Sequence, residues 1–203
     1  MVRVKNQLVR RDSLIKGAQS VVTKYGLEGA RLNLIAEEAG LTSGAVLYYY
    51  PDISDLIMEA GSVAMERFYE QRVRMLSALP DDPVLRINSL IRSGLPSGSD
   101  DVEVALLCTL GGSAGRNSVN ATLLTSLYER QVSMYVTVLE QGAARGIFTL
   151  SSKSVSIARN LVALEDAYGY RIIAKHPTID TQTANELILD YARMATGHPL
   201  TGD

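Results

Sequence analysis

Apolar residues recur at helical spacing along nearly the whole chain, and strand-like alternation is almost absent. Leu14, Ile15, Ala18, Val21, Val22 and Tyr25 make one face of a first helix, which Gly26 stops. Asn33 to Ala39 reads as a short second helix with Leu34, Ile35 and Ala39 inward, ended by Gly40. Thr42 is placed to cap a third, Ser43 to Tyr50, which stops before Pro51. Asp52 caps a long fourth helix to about Leu79, with Leu56, Ile57, Ala60, Val63, Ala64 and Phe68 inward.

Pro83 suits the first turn of the next helix, which runs to about Arg92 before the loop Ser93 to Ser99. Asp100 with Glu103 resembles a capping box opening Val102–Leu110, and Gly111 to Gly115 predicts a break. A long pattern from Leu124 to Leu139 ends near Gly142–Gly146. Ser151 or Ser152 starts another helix, which His176 and Pro177 end. Asp180 caps the last, stopped at Gly197. The only strand candidate, Gly146 to Leu150, is too short to build a sheet. The expected class is all-α with about nine helices, an N-terminal module over 1–51 and a larger helical bundle over 52–203.

Composition narrows the function classes. One cysteine and two histidines exclude an intramolecular disulfide framework and make a Cys/His metal site implausible, so no metal or cofactor is expected. No apolar run approaches the roughly 18 residues of a membrane span, and the N-terminus lacks a signal-peptide segment, so a soluble cytoplasmic protein without membrane contact is expected. The net charge of −2 looks unfavourable for a polyanion partner. Its distribution reverses that impression. Residues 1–50 carry seven basic and four acidic side chains, net +3, and the remainder is −5. Basic clustering of this kind is the footprint of nucleic acid.

The first 50 residues have a particular rhythm: a long helix, a short one, Ala39-Gly40-Leu41-Thr42, and a second short helix. A glycine-containing turn between two short helices is the helix-turn-helix signature. Gly40 makes the turn tight and Leu41 pins it from beneath. Thr42, Ser43, Gly44 and Ala45 are all small, which lets backbone approach phosphates and base edges within a major groove about 12 Å wide. Tyr48, Tyr49 and Tyr50 follow; successive residues lie about 100° apart on a helix, so the three cannot all be buried. Tyr50 is assigned to the core, Tyr49 to the DNA side and Tyr48 to a phosphate contact.

The stretch Leu34 to Leu56, preceded by Tyr25-Gly-Leu-Glu-Gly29, resembles the helix-turn-helix of TetR-family transcriptional regulators, with the specific likeness over roughly 10–60. Leu161 to Arg171 is more weakly similar to the C-terminal domains of the betaine-regulator-like branch. Leu47 and Ile53 depart from the family's usual tyrosine and lysine. The resemblance implies that Arg31 and Asn33 lie beside the DNA backbone and that Thr42, Ser43 and Ala45 meet DNA. Arg3, Lys5, Arg10 and Arg11 are candidates for a basic arm. It also implies a ligand-binding, dimerising body. Ala158, Leu161, Val162, Leu187, Ile188 and Tyr191 form stripes suited to an intermolecular bundle.

The expected protein is therefore a homodimeric transcriptional repressor, reading a palindromic double-stranded operator and released by a small-molecule effector. Candidate effector contacts are Cys108, Tyr128, Gln131, Tyr135 and the pair Glu165 and Asp166; Thr109 is a further pocket candidate. Arg159 or Arg171 is the expected partner should that acidic pair be structural. No catalytic residue is assigned, because Cys108 lacks a base: His176 and His198 both precede prolines in loops. The competing reading is an all-α small-molecule-binding protein or enzyme with an incidental helix-turn-helix, which predicts no salt-dependent DNA binding. A DNA-binding module without an effector would instead show no ligand response.

Overall fold

The computed structural model describes residues 2–116 and 118–201, with side chains from residue 7 onward except that of Arg116. Among these residues there are helices and no strand. In chain order they are α1 (Val2–Gly29), α2 (Leu32–Glu38), α3 (Ser43–Tyr49), α4 (Ile53–Ala78), α5 (Pro83–Gly94), α6 (Val102–Ser113), a 3₁₀ turn (Ala114–Arg116), α7 (Ser118–Ala144), α8 (Ser154–Ile173) and α9 (Thr181–Thr196). The all-α reading therefore holds, and Gly146 to Leu150 is not a strand.

The chain forms two compact units, one of Met1–Glu66 with Ala105–Leu124, the other of Arg67–Val104 with Thr125–Asp203. It passes between them within α4, α6 and α7, whereas the sequence suggests a boundary at residues 51 and 52.

The first unit has a core of Leu14, Ala18, Val21, Ile35, Val46, Leu56 and Ala60. These are inward positions of α1 to α4 at helical spacing, but Tyr25, expected on the same face of α1, is 55% exposed. Val63 is exposed, and Met65 is buried in its stead. Gly26, with φ 71, breaks the helical path inside α1 where the sequence places a stop.

The second unit packs α5, α8 and α9 together, with α7 supplying Tyr135, Val138 and Leu139 to the same core. Caps set several ends. Asp82 accepts from the backbone N–H of Val84 and Leu85, Pro83 opens α5, and Asp180 accepts from Thr183 N–H at 2.7 Å. Gly197, left-handed at φ 62, closes α9.

Three local expectations need correction. The residue that caps α6 is Asp101, not Asp100: its carboxylate accepts from Val104 N–H and from Ser97 N–H and Oγ. Gly111 and Gly112 do not break the chain but continue α6 to Ser113, so packing overrides a propensity cost of about 1 kcal/mol per glycine. Ala158, Leu161, Val162 and Ile188 are fully buried within this chain, so most of the stripe assigned to a partner is internal core.

Candidate functional site

The turn between α2 and α3 is built from backbone chemistry. Gly40 N–H donates to Glu37 O at 3.0 Å and Leu41 N–H to Ala36 O at 2.8 Å. This pair of bonds closes a helix through a left-handed residue, and Gly40 sits at φ 65. Leu41 packs half-buried on the core below. Thr42, extended at φ −88, then caps α3: its Oγ1 accepts from Ala45 N–H at 3.2 Å.

The phase of α3 decides what solvent sees. Val46 is fully buried and Tyr50 nearly so, which turns Gly44, Leu47 and Tyr48 outward as one stripe. Thr42 is exposed, while Ser43 and Ala45 are half-buried. Tyr48 is the outward phenol, 71% exposed. Tyr49 is half-buried against the core, its ring edge-on to Tyr48 at 5.3 Å. Leu47, 44% exposed, belongs to the outward stripe although sequence reasoning did not select it. Its signal was available, since it lies three residues from Gly44. Arg31 and Asn33 are exposed at the start of α2.

Ion pairs sort the positive charge of this unit. Lys16 pairs with Asp12, and Lys24 with Glu38. Arg11 donates twice to Glu59, at 2.9 and 2.6 Å, and Tyr50 Oη donates to the same carboxylate at 3.0 Å. The Arg11 hydrogen bond holds the Glu59 carboxyl below its ordinary range, and burial with that carboxylate pushes the Tyr50 phenol up to about 12. Arg11 is thus engaged in tying α1 to α4. Arg10 and Arg31 are exposed and make no ion pair among the described residues. The side chains of Arg3 and Lys5 lie outside the described residues.

The second unit holds a buried charge cluster that the sequence did not foresee. Arg72 is 2% exposed. It meets Glu165 through two parallel bonds at 3.0 and 3.1 Å, Gln131 Oε1 at 2.6 Å and Leu90 O at 2.9 Å. Tyr135 Oη donates to the same carboxylate, at the Oε1 that Arg72 also holds. Glu165 is therefore paired, but with Arg72 on α4. Arg159 pairs with Glu129, and Arg171 donates to Ala167 O. Burial works against the Arg72 guanidinium, and the Glu165 charge outweighs it and keeps Arg72 protonated. Burial pushes the Glu165 carboxyl and the Tyr135 phenol up. Asp166 is on the exposed side of α8, where surrounding protein and the Glu165 charge push its carboxyl up to about 6.

Arg72 also forms part of the wall of a cleft of about 440 Å³, with Phe68, Met75, Leu95, Pro96 and Val104. This lies within the usual small-molecule range of roughly 300–1,000 Å³. Cys108, Tyr128 and Asp166 do not line this cleft. Gln131, Tyr135 and Glu165 do not line it either, but hold Arg72, which does. Among the described residues no cluster fit for a metal ion occurs, and no helix is long and apolar enough to cross a membrane.

No family model matches the chain. It is 24% identical to the HTH-type transcriptional regulator BetI of Vibrio campbellii over 189 residues, 90% of each chain. It is 23% identical to the regulator of that name from Vibrio vulnificus over 194 residues, 94% of each. Among solved structures, a TetR transcription regulator from Haloarcula marismortui superposes with TM-score 0.81 at 21% identity, covering 92% of this chain and 98% of that one. A protein from Saccharomonospora viridis, described as a transcriptional regulator in complex with choline, superposes with TM-score 0.84 at 19% identity, covering 92% and 96%. The helix-turn-helix geometry and these relatives define a DNA-binding transcriptional regulator. Over nine-tenths of its length the chain is similar to the BetI regulators, and it shares the fold of a TetR transcription regulator.

Proposed function

We propose that the protein is a homodimeric repressor working in the cytoplasm, with residues 1–51 as its reading module and a small-molecule effector that weakens its hold on DNA. The observation that carries the DNA reading is the outward stripe Gly44, Leu47 and Tyr48 on a capped, glycine-turned α3, next to the exposed Thr42. Each subunit presents α3 to a major groove, and two subunits read half-sites about 34–36 Å apart on a near-palindromic operator. Small residues at the start of α3 limit direct base readout, so the shape of the duplex contributes to selectivity. Arg10, Arg31 and Asn33 hold phosphates.

Dimerisation is supported by apolar residues left exposed on the last two helices. Ala163, Ala167 and Tyr170 lie along α8, and Leu187 and Met194 lie seven residues apart on α9. The effector is bound rather than transformed, in the body formed by residues 52–203. The protein bound to choline shows that a chain of this fold takes a small organic molecule.

The test is selection of bound duplexes from a random pool with the full chain. Enrichment of a near-palindrome with half-sites one helical turn apart, bound by two chains, is expected. Failure of any sequence to enrich would overturn the reading.

A further inference from the structure

The chemistry of the Arg72 cluster points to the class of effector, an inference that rests on the regulator reading above. A guanidinium has five N–H donors. In Arg72 the two terminal nitrogens serve Gln131, Leu90 and Glu165, and Nε alone has no partner although it is buried. A buried donor without an acceptor is costly, and native proteins rarely leave one so. The side chain carrying this donor lines the cleft of about 440 Å³.

A second cation lines the same cleft. Arg92, on the last turn of α5, is exposed and makes no ion pair among the described residues. The acids on that wall are engaged elsewhere. Asp101 accepts from Ser97 and Val104 and is held below its ordinary range despite partial burial. Glu103 accepts from Arg67 at 2.7 Å. The cleft therefore offers one uncompensated positive charge and one unfilled donor. The rest of the lining is mostly apolar, with Phe68, Met75, Leu95 and Val104 beside the polar Gln71 and Thr181.

A cationic ligand is disfavoured by the same geometry. Aromatic faces beside a carboxylate are the features that hold a quaternary ammonium. Here Arg72 occupies them itself: its guanidinium carbon lies 5.6 Å from the Phe68 ring and 5.9 Å from the Tyr135 ring, and Glu165 is bound to it twice. An incoming cation would have to displace a built-in one.

We propose that this cleft binds the effector as an organic monoanion with an apolar body, its carboxylate facing Arg92 and accepting the hydrogen bond of Arg72 Nε. Nε is closed off from solvent, so side chains of the cleft wall shift to let the carboxylate reach it.

Calorimetric titration of the full chain tests this with three probes: octanoate, its neutral counterpart 1-octanol, and choline. Octanoate binds about tenfold tighter than either of the others, the worth of one charge-assisted hydrogen bond. Arg92→Gln, at an exposed position, weakens octanoate about tenfold and leaves octanol unchanged. The Arg72 Nε–H proton resonance shifts with octanoate alone. Equal binding of octanoate and octanol, tighter binding of choline, an unaltered preference in R92Q, or no octanoate binding overturns the proposal. DNA binding of the same preparation separates the two readings. If it persists while octanoate fails, only the effector class falls. If octanoate binds while no DNA sequence does, the cleft stands and the regulator reading falls.

Discussion

Removing Glu165 isolates a guanidinium that water cannot reach. Arg72 is 2% exposed and has one carboxylate partner. Glu165→Met leaves its charge buried and unopposed, and breaking a buried pair in this way costs about 3–5 kcal/mol. Domains have only about 5–15 kcal/mol of stability, so a large share is lost. For a chain of this size each kcal/mol moves the melting point by roughly 2–4 °C, giving a fall of about 6–20 °C. Arg72→Met likewise strands Glu165. The double variant, with both charges gone and similar volumes in place, recovers most of the loss, because well-packed apolar replacements of buried ion pairs are often neutral or better. The cycle should give a coupling energy of about 2 kcal/mol or more. The chain has no tryptophan, so urea unfolding is best followed by far-UV circular dichroism. A cost below about 1 kcal/mol for Glu165→Met, in the range of a surface pair, would refute the claim that this cluster is sealed and structural.

Gly94→Ala should destabilise by about 1–3 kcal/mol, because its Cβ falls on the Glu165 carboxylate that Arg72 holds in place; a raised melting point, as helix propensity alone would give, would contradict this. Tyr48→Phe should leave the melting point unchanged and weaken DNA binding by about three- to tenfold, measured by fluorescence anisotropy, since only an exposed hydroxyl is lost. Glu59→Gln should lose about 1 kcal/mol or less at neutral pH, the pair being partly exposed. Glu59 has a lowered folded pKa, so its contribution is present above the ordinary carboxylate range and fades as pH falls through the lowered value. The melting curves of the two proteins should therefore converge towards acid.

What could be read from the chain was local. Thr42, Asp180, Gly40 and Gly197 act on backbone groups within a few positions, so their roles follow from sequence spacing alone. The three tyrosines show the limit of that reasoning. Helical geometry requires that they diverge, and Tyr50 is buried as expected. Which of the other two faces outward depends on where Val46 locks the helix, and the outward one is Tyr48. Glu165 was visible as an acid on an apolar face, but its partner lies 93 residues away on α4, and no local pattern marks a contact made only by packing. The cleft was missed for the same reason. Its walls come from α4, α5, the following loop, α6 and the start of α9, and each of those residues reads singly as ordinary amphipathic sequence.

The central claim, that α3 reads DNA, is tested most directly by Gly44→Glu. A Cβ at Gly44 meets nothing within 4 Å, and glutamate near a helix N-terminus is favourable, so the fold and melting point should be preserved. Against the duplex selected by the wild type, the variant should lose at least about tenfold in affinity, because each subunit then sets a negative charge against the phosphates. The wild type should lose affinity with a log–log salt slope of about −4, as four phosphate contacts from Arg10 and Arg31 of two subunits imply. A folded Gly44→Glu variant that binds the duplex as tightly as the wild type would contradict the account.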